Sequence, residues 1–317
     1  MLRYVFLVSI FVSTHSFAQT DFLDPQFGVN ITSDIVYATG AVQSPSVGNK
    51  DLILDLYEPT GAGVPASKPG FVIIHGGSFT SGNKSAMAGL ANEYASRGYV
   101  CVSINYRLVS DDPPTPGADP VSRAVAAAVE DAANAVQWMK ANAGLYGIDP
   151  TRIAIGGYSA GAITALFTGY NELGAASSVD AIVSFAGGLY GFEGSIDSDD
   201  PPVIQLHGFD DPTVAFTLAQ AIDNAAATAG IAHELHTMLG VGHAAYPNRN
   251  SYVLPGGDTP NEKIQAFLYQ QLQLASIGSG PYVPNPLAMP LSSIVLALMS
   301  LLIVALVALV MTKASFQ

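Results

Sequence analysis

The sequence predicts an α/β fold built on a mostly parallel central sheet with helices on both faces. Three observations predict it. Short, continuous apolar runs alternate with longer helical patterns through the middle of the chain. Runs of that kind fit strands buried on both faces, as parallel sheets require. The residues with chemical potential each lie just after one of these runs, where reactive groups sit in such sheets. The third observation is Gly157-Tyr158-Ser159-Ala160-Gly161, a G-x-S-x-G turn set between a strand-like run and a helical one.

In chain order, residues 52–57 come first and alternate apolar and polar, as a strand does. Phe71-Val72-Ile73-Ile74 is a continuous apolar run ending at His75. A helical pattern over 84–96 leads to a third strand over 99–104. Its Cys101 reads as a buried small apolar residue. A long helix is predicted over 122–142 and a fourth strand over 152–155. The serine turn then opens a small-residue helix over 160–170. Strands at 181–185, 203–206 and 233–238, with helices at 216–229 and 261–274, complete the set. No internal repeat is visible.

Both ends stand apart from this pattern. Met1-Leu2-Arg3, an apolar run over 4–12 and Ser16-Phe17-Ala18 together read as a secretory signal peptide over 1–18. The catalytic domain is expected over 19–275, followed by a Pro/Gly/Ser-rich linker over 276–290. Residues 291–311 are uncharged and apolar, long enough for a membrane-crossing helix, and a short polar tail over 312–317 ends the chain. Two readings stay open for this span: a permanent anchor, or a removable sorting tail. Val283-Pro284-Asn285-Pro286 before it loosely resembles a bacterial C-terminal sorting signal. The expectation is an extracytoplasmic domain, secreted and held to a membrane or surface by its C-terminal segment.

Composition excludes several classes. The chain carries 25 Asp and Glu against 12 Lys and Arg, and no basic patch suited to nucleic acid. A single cysteine rules out an internal disulfide and a thiolate metal cluster. No cofactor and no metal are expected.

A serine hydroxyl is a weak nucleophile at neutral pH and needs a base, itself oriented by an acid. Of six histidines, His15 falls in the signal peptide and His75 in a glycine loop. His207 ends a strand, while His233 and His236 lie within one. His243, in the loop Gly240-Val241-Gly242-His243-Ala244 after the last strand, is the candidate base. The segment Phe209-Asp210-Asp211-Pro212 offers the acid; Asp211 is preferred, with Asp210 in reserve. His75-Gly76-Gly77-Ser78-Phe79 allows backbone N–H groups close to a developing oxyanion. Gly76 and Gly77 are the expected donors, with Ala160 after the nucleophile.

These pieces, together with Leu54-Asp55-Leu56-Tyr57-Glu58-Pro59, Asn105-Tyr106-Arg107-Leu108 and Asp149-Pro150-Thr151-Arg152-Ile153, resemble the α/β-hydrolase fold esterases. The similarity is to the carboxylesterase and hormone-sensitive-lipase-like group with its small acetyl- and feruloyl-esterase-like members. It implies a serine carboxylic-ester hydrolase working through an acyl-enzyme on short-chain, small aryl or acetyl esters. The substrate would be a small ester or an esterified polysaccharide. A serine peptidase on the same fold and a non-catalytic surface binding protein are the alternatives. The family's usual third glycine is Ser78 here. Asn105 to Leu108 and Asp131 are assigned structural hydrogen bonds. Only residues 186–202 separate two late strands, too few for the large cap domain such folds often carry, so an open site is expected. Residues 111–116 and 246–260 are the other rim loops. Tyr106, Tyr158 and Phe79 could line the pocket or pack in the core.

Overall fold

The computed structural model describes residues 22–170 and 178–277. Eight strands form one sheet: β1 Gly28–Val42, β2 Gly48–Thr60, β3 Lys68–Ile74, β4 Val100–Ile104, β5 Ile148–Tyr158, β6 Ala181–Phe185, β7 Val203–Gly208 and β8 His233–Met238. Their order is β1-β2-β4-β3-β5-β6-β7-β8. β2 runs antiparallel to both its neighbours, and every pairing from β4 to β8 is parallel. The helices are α1 Ala88–Ala95, α2 Pro120–Ala141, the single turn α3 Ala143–Tyr146, α4 Ala160–Tyr170, α5 Phe216–Ala229 and α6 Pro260–Gln271.

The central strands β3, β4 and β6 are buried at every position, because helices cover the sheet on both sides. Residues of α2, α4 and α5 join one core cluster, including Val136, Leu166 and Ile222. Residues of α1 and α6 join the other, including Leu90, Tyr94 and Phe267.

Two registers set which loops leave the sheet together. Ile74 at the end of β3 pairs with Gly157 near the end of β5. The glycine loop and the serine turn therefore emerge side by side. Gly208 pairs with Met238, so the loops after β7 and β8 also emerge together.

The structure corrects several predicted elements. β1 is an addition to the predicted set; it is an edge strand, exposed over most of its length, and has no continuous apolar run. The first turn of the helix expected from residue 84 is a 3-10 turn, Lys84–Met87, capped by the Asn83 side chain. The long helix starts at Pro120 under an Asp119 capping box and stops at Ala141. Ile277, assigned to the linker by composition, is buried against the core. The signal peptide, the rest of the linker and the apolar span 291–311 lie outside the described residues. Among the described residues no helix is long and apolar enough to cross a membrane.

Candidate active site

Ser159 sits between β5 and α4 with φ 55°, a left-handed backbone that a serine adopts only when its surroundings impose it. Its amide donates to the Phe185 carbonyl at 2.9 Å, which pins the turn to β6. The flanking glycines are required by space. A Cβ on Gly161 would lie 2.2 Å from the Ile74 carbonyl oxygen. One on Gly157 would lie 2.5 Å from the Gly161 carbonyl carbon.

The structure brings together the three side chains singled out in the sequence. His243 Nε2 lies 2.8 Å from Ser159 Oγ. His243 Nδ1 lies 2.7 Å from Asp211 Oδ2. The other carboxylate oxygen, Oδ1, accepts from the amides of Thr213 at 2.8 Å and Val214 at 3.0 Å. Burial pushes the Asp211 carboxyl up, but the His243 bond and the two amides outweigh it and hold it below the ordinary carboxylate value. Asp210 is exposed and takes no part in this chain of bonds; its amide donates to the Val241 carbonyl.

Three groups support this chain of bonds in ways that the sequence does not reveal. Tyr158 donates its hydroxyl to the His243 carbonyl at 2.6 Å and stacks on the imidazole with ring centroids 5.2 Å apart. His207 Nε2 lies 2.8 Å from the Val214 carbonyl, tying down the loop that carries Asp211. Burial lowers the His207 pKa, so the ring is neutral at pH 7 and donates this bond. The His243 loop is anchored from α1: Glu93 pairs with Arg249 at 3.2 Å, and the Arg249 guanidinium lies 4.4 Å over the Tyr246 ring. Tyr246 in turn packs on Tyr158. His233 and His236 lie apart from the site, paired with Asp223 and Glu234.

On the other side of Ser159 is the glycine loop. A Cβ on Gly76 would meet the Tyr158 carbonyl oxygen at 2.8 Å, and Gly77 has φ 122° with its carbonyl taking the amides of Thr80 and Ser81. Ser78 and Phe79 continue in left-handed backbone, φ 54° and 60°. Ala160 opens α4, where first-turn N–H groups have no helical acceptor and carry the positive end of the helix dipole. Tyr106 proves to be a support of this loop: it is buried, stacks on His75 at 4.3 Å and donates to the His75 carbonyl.

The cleft over Ser159 has a volume of about 1060 Å³ and is bordered by Ser78, Phe79, Tyr190 and Val214. The 186–202 link forms part of its wall and contains only a 3-10 turn, Glu193–Ser195, so this link places no helical cap over the serine. No group of three or more His, Cys, Asp or Glu residues among the described ones is arranged to hold a metal. Asn105 and Arg107 act elsewhere. Asn105 accepts from the Lys84 amide, and Arg107 pairs with buried Asp131 at 2.6 Å.

A family model described as BD-FAE matches residues 54–187. A chlorogenic acid esterase of Aspergillus niger is 32% identical over 143 residues, 43% of this chain and 27% of that protein. A probable carboxylic ester hydrolase, LipM, of Mycobacterium tuberculosis is 35% identical over 109 residues, 34% of this chain and 23% of its own. The matched segment thus spans about a quarter of the length of these curated relatives. Among solved structures, a truncated carbohydrate esterase from gut microbiota is similar with TM-score 0.59 and 19% identity, covering 79% of this chain and 98% of that one. Thermogutta terrifontis esterase 2 phosphorylated by paraoxon is similar with TM-score 0.58 and 24% identity, covering 78% and 92%.

Proposed function

We propose that this chain, which has the α/β-hydrolase fold, hydrolyses carboxylic esters through a covalent acyl-enzyme on Ser159. The observation that carries the reading is the unbroken run of hydrogen bonds from Ser159 through His243 to Asp211, beside the glycine loop, with Ser159 bordering an open cleft. Ser159 Oγ attacks the ester carbonyl carbon as its proton passes to His243 Nε2. The amides of Gly76, Gly77 and Ala160 face the oxyanion. His243 returns the proton to the departing alcohol. Water then attacks the acyl-enzyme, giving its proton to His243, and the free acid leaves as Ser159 recovers its hydrogen. Asp211, kept ionised, fixes the imidazole tautomer and balances its transient charge.

Among the residues bordering the cleft the charged ones are acids, Asp119 and Glu130. Neutral esters therefore suit it better than anionic ones. Acetyl, aryl and sugar-borne esters all remain within this class. The matched esterases and the paraoxon-modified Thermogutta protein support the reading. A fluorophosphonate or paraoxon should label Ser159, and Ser159→Ala should abolish both labelling and turnover. Ester hydrolysis retained in Ser159→Ala would overturn the assignment.

We also propose that the domain works outside the cytoplasm, tethered through its C-terminal segment. The apolar runs over 4–12 and 291–311 support this. Fractionation with mass spectrometry of the mature ends tests it; a cytoplasmic protein with Met1 intact would refute it.

A further inference from the structure

Ser159 directly precedes α4, and Ile163 and Phe167 follow at four-residue spacing, so all three line one helix face. Helix α2 packs against α4 and presents its own stripe, Val129, Val125 and Val121, at the same spacing. All six border the same cleft. Exposure rises along α2 from 6% at Val129 to 47% at Val121. The space between the helices is therefore a trough, closed at Val129 and open toward Val121. Phe192, from the link between β6 and β7, closes its side by packing edge-to-face on Phe167 at 5.4 Å. Phe192 is nevertheless 60% exposed. Asp119 and Ser122 stand at the open Val121 end, and the apolar side chains between that end and the nucleophile are a surface for a ligand to cover.

The dimensions bound the length of such a ligand. Eight residues of helix separate Ser159 from Phe167, a distance of about 12 Å. A short acyl group reaches only the first turn. The second turn and the whole Val125–Val121 stretch would face water with an acetate bound.

We infer that this trough holds one extended alkyl arm of the ester, roughly eight carbons long by that ~12 Å span, with Val125 and Phe192 setting the length accepted. The inference rests on the ester hydrolysis proposed above. It narrows that reading to esters with a medium-length aliphatic arm. Nearly complete burial of each added methylene should raise kcat/KM about fourfold, and partial burial in an open trough about twofold.

The test uses the full chain and two ester series. In one, p-nitrophenyl esters carry acyl groups from acetate to dodecanoate. In the other, acetates carry alcohols from methyl to dodecyl. The expected result is a kcat/KM that climbs with chain length to about eight carbons in one series and then levels; the series that climbs tells which arm lies in the trough. The ratio of kcat/KM for the eight-carbon to the two-carbon ester should fall at least tenfold in Val125→Trp, which fills the trough. Phe192→Ala, on an exposed side chain, should lower the same ratio severalfold. Ratios within one variant cancel any general loss of folded enzyme. Acetates hydrolysed with a flat profile in both series would overturn the inference and leave the proposed chemistry standing. Failure to turn over any ester would overturn both.

Discussion

Tyr158 occupies the variable position of the serine turn and directs both its ring and its hydroxyl at the His243 segment. It is a positioning residue, since it touches the imidazole and not the serine oxygen. Tyr158→Phe keeps the stack and loses one hydrogen bond worth about 1 kcal/mol, so kcat should fall about fivefold with KM little changed. Tyr158→Ala should fall further. Steady-state kinetics on p-nitrophenyl acetate separates the two parameters. A change confined to KM would show that Tyr158 contacts substrate instead. The two neighbouring aspartates make a sharper comparison. Asp211 holds His243 Nδ1, whereas the Asp210 side chain is exposed to solvent. Asp211→Asn should cost about 10⁴ in kcat, the loss that the same change causes in a serine protease triad, because the amide selects the wrong imidazole tautomer. Asp210→Asn should cost far less. The reverse order would place the orienting carboxylate one residue earlier.

At the scale of elements, the serine turn is readable because its requirements are local. The left-handed Ser159 and the two flanking glycines follow from backbone approaching backbone, and that geometry writes itself into five consecutive residues. Gly161→Ala should therefore destabilise by about 1–3 kcal/mol, as overpacking does, and lower activity more than stability, read by urea unfolding beside kinetics. β1 is not readable, for the opposite reason. Its side chains are mostly exposed, with Ile31 and Val36 near half exposed, so no apolar period announces it. What fixes it is contact with distant residues. Tyr37 donates to the Asn105 carbonyl at 2.7 Å, and Gly40 leaves room for Arg107, whose Nε would lie 2.5 Å from an added Cβ. Arg107 then pairs with the fully buried Asp131 of α2. Removing one member of a buried pair strands the other. Arg107→Ala should cost about 3–5 kcal/mol in urea denaturation. A loss below about 1 kcal/mol would show that water reaches Asp131 in the folded protein.

At the scale of the whole molecule, the sequence reveals which residues stand at strand ends but not what braces them. Ser159, Asp211 and His243 can be singled out because parallel topology gathers strand ends at one edge. The roles of Tyr158, His207 and the Glu93–Arg249 pair depend on packing between segments up to 156 residues apart, and no local pattern encodes that. The same packing gives the protein a pH dependence. His75 and His207 are both buried, and burial lowers the pKa of each. In the unfolded chain each takes up a proton near pH ~6.5; in the fold it does so only at lower pH. Between those values the unfolded chain binds more protons at these two sites, so they make stability rise with pH across that window and decline as pH falls below about 6.5. Asp211 adds a separate loss further down: its folded pKa is depressed, so its contribution is complete above about pH 4 and disappears as pH falls through the folded value. Urea unfolding at pH 7, 6 and 5 should show the first loss in the wild type. His207→Gln keeps an amide donor for the Val214 carbonyl and removes the titration, so its stability should depend less steeply on pH across the same interval. An unchanged slope would mean that His207 takes up its proton equally in the folded and unfolded chain.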